Sequence, residues 1–447
     1  MNTIGIIAEY NPFHKGHAYQ IAKIKRLTGA QNIVVVMSGN FVQRGMPAWT
    51  NKYLRTQMAL SQGVDFVFEL PVVYATSSAE GFALGGVSLL SSLGFVDGIC
   101  FGSECGDLVQ LQKIAGFLCC PPADFDKLIK LYLTDGLSYP IAREKALTKL
   151  LENEIENTPS LLSSPNNILA IEYLKAIKQC NSPLMPFTIA RKGNAYHDNT
   201  ILGTYPSASA IRDSYFNAMK ENKNAKDIFP PVTQTNLMQN SQYSFALSAI
   251  KKALPDTVFQ ILAKETNTLP VHYNVFSDLM YYRLTRISQN DLDILDMTPD
   301  LYHRIANERK NFTDYLSFID RLKTKQYTYS RVSRVLLHLL LDIYGKDLFF
   351  PVPYARLLGF NKEKSTLLRN IKNIPVITKP ADGPDIIEAF MKNSSTDTPF
   401  RNVSLEQCKA LYHKDITCAD LYRHIQNKFR ADENTQILEL QQNPIIL

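Results

Sequence analysis

Two histidines flank a lysine and a glycine, His14-Lys15-Gly16-His17, just after a short apolar run near the start of this 447-residue chain. Imidazoles three residues apart share one side of a helical turn, so both can face the same ligand. Near a helix N-terminus that ligand is an anion, because unpaired N–H groups and the helix dipole draw negative charge there. The pair suits attack on the α-phosphorus of a nucleoside triphosphate with loss of pyrophosphate. Charge then builds up on phosphate oxygens, and positioned donors serve better than a protein nucleophile. Gly16 would remove a side chain where the nucleotide lies against the backbone. Ordinary surface histidines are the plain alternative. Their place after the first strand of an alternating region favours the nucleotide.

The elements that must position this pair are legible in outline. Ile4, Ile6 and Ile7 form a nearly continuous apolar run, the pattern of a buried parallel strand. Asn11-Pro12 breaks it, and Tyr19, Ile21, Ala22 and Ile24 give the next segment an apolar helical side. Further strands are predicted at 32–37, 65–70, 98–101 and 184–191. Helices are predicted from Thr50 as cap through Leu60, over 78–93, and from Pro206-Ser207 onward. This alternation predicts a Rossmann-like α/β fold with a parallel sheet and ligands at the carboxyl ends of its strands. The loops at 9–17, 38–48, 71–77 and 102–106 should then share one rim. Beyond about residue 225 strand signals fade, and leucine- and tyrosine-rich helical segments follow. One strand-like piece, 374–378, is expected in 345–447. A catalytic domain over 1–220 and a mainly α-helical C-terminal region over 221–447 are therefore expected.

Composition narrows the class. Hydrophobic residues make up 45% of the chain, enough for real cores, and the net charge is +6. That balance suits nucleotide or RNA ligands, with no membrane and no DNA partner expected. Apolar runs fall short of the ~20 residues that span a bilayer, and the first residues lack a basic leader. Seven scattered cysteines without paired zinc spacing fit a reduced, cytoplasmic protein without structural zinc.

Longer blocks carry a resemblance. Gly5 to His17 reads Gly-Ile-Ile-Ala-Glu-Tyr-Asn-Pro-Phe-His-Lys-Gly-His. Met37 to Gly45, Glu69-Leu70-Pro71, Phe101-Gly102-Ser103-Glu104, Pro165-Asn166-Asn167, Arg191 with Tyr196-His197-Asp198, and Ser207 to Arg212 follow in order. The His-x-Gly-His motif resembles the nucleotidyltransferase and class I aminoacyl-tRNA synthetase superfamily. The full set resembles the bacterial tRNA(Met) cytidine acetate ligases. That resemblance implies ATP as co-substrate, carried with Mg2+, and acetate activated as acetyl-adenylate. It implies transfer of the acetyl group to N4 of the wobble cytidine in elongator tRNA(Met). It further implies His14 and His17 as catalytic donors. ATP contacts are implied for Ile7, Ala8, Glu9, Tyr10, Asn11, Pro12, Phe13, His14, Lys15, Gly16, His17, Gly102, Asn166 and Arg191, with Asn167 as a near-equivalent of Asn166. Ser209 and Arg212 resemble the motif that holds the β- and γ-phosphates; Ala208 between the serines departs from its commoner form.

The residues themselves agree with these roles. Gly102 ends a strand where a base or ribose could approach, or else serves a turn. Arg191 ends another strand at the same rim, where a guanidinium would grip phosphate or form a surface ion pair. Tyr196-His197-Asp198 could offer a base for the amine, or be a structured loop. Between Arg321 and Arg334, cations including Lys323, Lys325, Arg331 and Arg334 alternate with Tyr327 and Tyr329. That segment suits RNA or, alternatively, a solvated helix face. Arg44, Lys52 and Arg55 would extend it along the rim. A nucleotidyltransferase adenylating a small cofactor precursor is one rival reading; a catalytically silent RNA-binding protein is another.

Overall fold

The computed structural model of the chain describes residues 1–152, 161–162, 164–191, 205–221, 236–265, 270–393, 403–428 and 437–447. It opens with β1 (Thr3–Ala8), α1 (Lys15–Thr28), β2 (Asn32–Ser38), the small hairpin β3 (Phe41–Val42) and β4 (Met46–Pro47), and α2 (Lys52–Ser61). Then come β5 (Phe66–Leu70), the short α3 (Val72–Ala75), α4 (Ala79–Ser92) and β6 (Gly98–Ser103). Helices α5 (Leu108–Cys119), α6 (Ala123–Thr134), α7 (Tyr139–Leu151) and α8 (Pro165–Gln179) precede β7 (Met185–Ala190) and α9 (Ala208–Glu221). The rest is α10 (Asn236–Ile250), α11 (Asp256–Lys264), α12 (Ser277–Thr285), α13 (Pro299–Glu308), α14 (Tyr315–Leu322) and α15 (Tyr329–Leu340). Strands β8 (Ala355–Phe360) and β9 (Val376–Ile377), helices α16 (Gly383–Asn393) and α17 (Leu405–Asn427), and β10 (Ile445–Ile446) complete it. Among the described residues no helix is long and apolar enough to cross a membrane.

The main sheet runs β10-β8-β5-β2-β1-β6-β7, with β9 beside β8. From β5 to β7 the pairings are parallel, as the alternating pattern demands. The chain steps outward from β1 through β2 to β5, then crosses back to β6 on the other side. β1 and β6 pair only at Ile4–Gly98 and Gly5–Ile99, so their carboxyl halves part. That opening at the reversal point is where doubly wound sheets take their ligands.

The apolar strands feed two cores at once. In β2, Val34 and Val36 enter one face with Phe66, Phe68 and Ile99, under α4, α8 and α17. Ile33, Val35 and Met37 enter the other with Ile4, Ile6 and Met58, under α1, α2, α10 and α11. A strand buried on both faces has no polar positions to alternate with, which is why it reads as a continuous run. Helices α12 to α15 close over a third core of their own, built from Met280, Leu284, Phe318, Val332 and Leu336. Residues from both sides of 220 thus share the sheet and its cores.

The short β3, β4 and β10 were not expected, and neither was the longer β8. β8 lies antiparallel to β5, pairing Phe66 with Phe360 and Glu69 with Arg356. A buried charge network holds it. Lys52 reaches Glu69 at 2.6 Å and Glu439 at 2.6 Å, and Arg356 reaches Glu69 at 3.3 Å and also pairs with Glu439. Tyr53 donates its hydroxyl to Glu439 at 2.9 Å. Lys52, Arg356, Glu69 and Glu439 are all at most 5% exposed, so each charge depends on its partners. The cations hold the Glu439 carboxyl down at about 2 against the opposing effect of burial.

Glu439→Gln would leave two buried cations facing one carboxylate. Breaking a buried pair in this way costs about 3–5 kcal/mol. The thermal midpoint of that variant should fall by several degrees; an unchanged midpoint would show that the network does not hold the edge strand.

Candidate active site

Helix α1 begins with its two histidines as caps. His14 is extended at φ −139°, and its Nδ1 accepts the Gly16 N–H at 3.0 Å. His17 Nδ1 accepts the His14 N–H at 3.3 Å, closing a reciprocal capping box. The rings stack, with centroids 3.7 Å apart and planes 24° apart. Because each Nδ1 accepts, each neutral ring carries its proton on Nε2. Burial, helped by the positive charges of Arg191 and Arg212, pushes His14 down to about 3. Burial, then His14 and Arg191, keep His17 well below the usual imidazole value. The pair is therefore a set of neutral N–H donors. A Cβ on Gly16 would stand 2.8 Å from His14 Cε1, so glycine is needed to seat that ring, and it also lines the cavity.

The turn between β1 and α1 is pinned from several sides. Tyr10 adopts φ +48°, a conformation that side chains seldom take. Asn11 Oδ1 accepts the Trp49 N–H at 2.7 Å, and Arg212 Nη1 donates to the Asn11 carbonyl at 2.6 Å. Arg55, fully buried, donates to the carbonyls of Glu9 at 2.6 Å, Ser38 at 3.0 Å and Thr50 at 3.0 Å, and also to Gly39. Arg55 and Lys52 are thus interior residues. Their placement on an RNA-facing rim is corrected, because carbonyls and carboxylates distant in sequence gather around them. Helix α2 is capped by Asn51, whose Oδ1 accepts the Leu54 N–H at 2.9 Å, instead of by Thr50.

A cavity of about 300 Å³ opens at the β1–β6 parting. Ile7, Ala8, Glu9, Tyr10, Asn11, His14, Gly16 and His17 line it, and so do Gly102, Asn166, Arg191, Ser209 and Arg212. Phe13 belongs to the core, and Pro12 is buried beside it. Lys15 is exposed, and neither it, Pro12 nor Phe13 lines the cavity. The segment 71–77 does not line it either, contrary to expectation. It forms α3, tied down where Asp415 accepts the Val72 N–H at 2.7 Å and His338 Nε2 meets the Thr76 carbonyl at 3.0 Å.

The far wall separates the two asparagines. Glu104 caps α8, its carboxylate accepting the N–H groups of Asn166 at 3.2 Å and Asn167 at 2.8 Å. Asn167 is buried, and its Oδ1 accepts the Glu104 and Cys105 N–H groups at 2.9 and 3.2 Å. Asn166 faces the cavity and accepts Arg191 Nη1 at 3.2 Å. A Cβ on Gly102 would meet Arg191 Cγ at 3.3 Å, so this glycine makes room for the arginine's stem. Ser207 Oγ accepts the Ala210 N–H at 3.2 Å, and Ser209 Oγ lies 3.2 Å from it. Tyr196, His197 and Asp198 lie outside the described residues.

The cavity also gathers side chains that the sequence reading missed: Gln20, Gln43, Tyr173, Tyr205 and Tyr273. Gln20 carried a signal in standing one turn after His17 on the same side of α1, and Gln43 in lying within the 38–48 loop expected at the rim. Gln43 belongs to the β3–β4 hairpin, and its backbone N–H donates to Glu9 Oε1 at 3.0 Å. The hairpin's outer face meets α15. Gly45, at φ +75°, lies so close that a Cβ would collide with the backbone of Arg334, and Ser333 Oγ donates to its carbonyl at 2.9 Å.

The 321–334 segment splits. Lys323 and Lys325 are exposed. Arg331 lies over the Tyr327 ring at 5.4 Å, and Arg334 pairs with Asp296 at 3.1 Å. Tyr327 and Tyr329 pack against the third core, and Tyr329 also against Val42 and Met46. These tyrosines therefore do not offer the stacking faces that the alternation implied.

The histidine geometry predicts a pH dependence. His14 and His17 have folded values below the ordinary 6.5 of an unfolded chain. Their contribution to stability is therefore full above about 6.5 and is lost as pH falls through the lowered folded values, about 3 for His14. Nitrogen-15 correlation spectra should show both rings as neutral Nε2–H tautomers from pH 8 to pH 5. A doubly protonated ring at pH 6 would contradict the assignment.

Comparison with known proteins fits this site. The profile of the family described as HIGH nucleotidyl transferase matches residues 1–436. A tRNA(Met) cytidine acetate ligase of Clostridium novyi (strain NT) is 39% identical over 389 residues, 85% of this chain and 90% of that protein. One from Caldicellulosiruptor saccharolyticus is 37% identical over 437 residues, 96% of this chain and 98% of that protein. The crystal structure of Thermotoga maritima TmcAL bound with alpha-thio ATP superposes with a TM-score of 0.81 at 27% identity, covering all of both chains. With its paired histidines at the carboxyl edge of a doubly wound sheet, the chain belongs to the HIGH nucleotidyltransferase family and, within it, to the tRNA(Met) cytidine acetate ligases.

Proposed function

We infer that this protein is an ATP-dependent ligase that activates acetate as acetyl-adenylate and acetylates N4 of the wobble cytidine of elongator tRNA(Met). The observation that carries the reading is one cavity where two Nε2–H donors, Arg191, Arg212 and Ser209 converge on the α1 and α9 N-termini. Acetate attacks the α-phosphorus of ATP, pyrophosphate leaves, and His14 and His17 stabilise the charge on the phosphate oxygens. Arg212 and Ser209 hold the β- and γ-phosphates, and Arg191 with Asn166 the opposite side of the nucleotide. The amine then attacks the acetyl carbonyl and AMP leaves. Glu9 is the one carboxylate among the described lining residues, and it suits an exocyclic amine as acceptor. The ATP analogue held by the Thermotoga maritima relative supports this assignment.

Magnesium belongs to the same proposal. No group of three His, Cys, Asp or Glu side chains gathers as a metal cage among the described residues, so the ion would come on the phosphates of ATP. The exposed Lys323 and Lys325 remain proposed contacts for tRNA phosphates. Cytoplasmic work on tRNA is part of this reading.

Acetate-dependent exchange of pyrophosphate into ATP tests the first step, and mass spectrometry of tRNA nucleosides tests the second. His14→Ala and His17→Ala should each lower exchange by about 10²–10³-fold, the scale of a lost transition-state donor, while tRNA affinity stays. Exchange without acetate but with a phosphorylated cofactor precursor would favour an adenylyltransferase instead. Undiminished acetylation in both variants would remove the histidines from the mechanism.

A further inference from the structure

Helix α12 starts at the cavity wall and carries a surface that the chemistry above does not use. Tyr273 lines the cavity and opens a 3-10 turn, Tyr273–Phe276, that continues directly into α12 at Ser277. At about 2.0 Å per residue in the turn and 1.5 Å in the helix, Tyr281 lies no more than about 15 Å from Tyr273. Met280 and Leu284 anchor the helix in the third core. Tyr281 and Tyr282, by contrast, are 53% and 59% exposed.

Both rings are held in place by neighbours. Tyr281 leans on Phe312, with ring centroids 5.7 Å apart, and Phe312 meets Phe318 at 5.2 Å. Arg286 lies over the Tyr282 ring, its guanidinium carbon 5.6 Å from the centroid, and donates to that hydroxyl at 2.9 Å. Arg309 and Lys310, both exposed, belong to the short turn that leads into Phe312. The charges around the rings favour cations by a narrow margin. Arg283 faces two carboxylates, Asp291 and Asp342 at 3.2 Å, which leaves one acid over, and Glu308 faces Arg321 at 3.7 Å. That acid and the exposed Asp278 are set against three exposed cations, Arg286, Arg309 and Lys310.

Fixed, half-open aromatic rings among excess cations match unpaired nucleotides, whose bases stack on rings while their phosphates meet the charges. We propose that Tyr281 and Tyr282, with Arg286, Arg309 and Lys310, form the platform for unpaired RNA nucleotides that flank the cytidine delivered to the cavity. The proposal rests on the tRNA-modifying reading above. At about 3.4 Å per stacked nucleotide, 15 Å is roughly four nucleotides, so the base in the cavity and those on the platform can share one hairpin loop. The tyrosines that the sequence singled out, Tyr327 and Tyr329, are packed; these take their place.

Fluorescence anisotropy with an anticodon stem-loop RNA tests this, alongside a hairpin of the same stem closed by a tight tetraloop. The Tyr281→Ser/Tyr282→Ser protein should bind the anticodon stem-loop at least tenfold more weakly and the tetraloop hairpin as wild type does. Tyr281→Phe/Tyr282→Phe keeps the rings and should keep affinity. Acetate-dependent pyrophosphate exchange, measured without RNA, should be unchanged in both and shows that the proteins are folded. Binding of the anticodon stem-loop within twofold of wild type by the serine variant would overturn the platform, as would an equal loss for both RNAs. Absence of acetate-dependent exchange in the wild type would instead overturn the functional reading itself.

Discussion

Arg55 is the constraint on which the cavity depends. Its guanidinium is sealed from solvent, and main-chain carbonyls of Glu9, Ser38, Gly39 and Thr50 converge on it. Burial draws its pKa down to about 10, which leaves it charged at neutral pH. A planar fork of donors can serve several acceptors in fixed directions; an ammonium would not reproduce them. One side chain thus ties together the carboxyl ends of β1 and β2 and the entry to α2. The left-handed Tyr10 and the pinned Asn11 then have a fixed frame. In that frame the chain turns sharply enough to bring His14 and His17 to the head of α1.

The end of the chain braces this frame. Arg356 on β8 and Glu439 complete the charges of Lys52 and Glu69, so α2 and β5 are held by residues more than 280 positions away. Tyr422 on α17 donates to the Ala48 carbonyl at 2.8 Å, and Asp415 secures Val72. Burial and the Glu69 charge raise Asp415 to about 7, the opposite of Glu439 in the same neighbourhood. The two acids differ because Glu439 faces cations while Asp415 faces a carboxylate and hydrogen-bond donors.

This long-range assembly explains which parts of the molecule were legible in sequence. β1, β2, β5 and β6 were readable because strands buried on both faces are almost wholly apolar; β7, an edge strand whose ends are exposed, was readable from its place in the alternation. His14, His17, Gly102, Asn166, Arg191, Ser209 and Arg212 were readable because they stand at strand or helix ends, which the topology brings to one edge. β8 was not: its second residue is Arg356, whose charge breaks the apolar pattern and is tolerated only beside Glu69 and Glu439. Lys52 and Arg55 looked like surface cations for the same reason, since nothing local announces that their partners will enclose them. Tyr281-Tyr282-Arg283 was present as letters, but only the burial of Met280 and Leu284 shows that the tyrosines face outward.

The β3–β4 hairpin shows why the helical part cannot be a mere appendage. Its inner side gives Gln43 and Arg44 to the cavity, and its backbone fixes Glu9. Its outer side is fitted to α15 so closely that only glycine is tolerated at position 45. Tyr273 joins the same small cluster of Val42, Met46 and Ala48, lines the cavity, and leads into α12. A displacement of α12 or α15 would therefore be felt at Gln43 and Glu9 through packed contacts, without passing through the sheet. A reactive acyl-adenylate needs protection from water until its acceptor is in place. A hairpin wedged between the phosphate site and the helices proposed to hold the RNA is placed to link those two conditions.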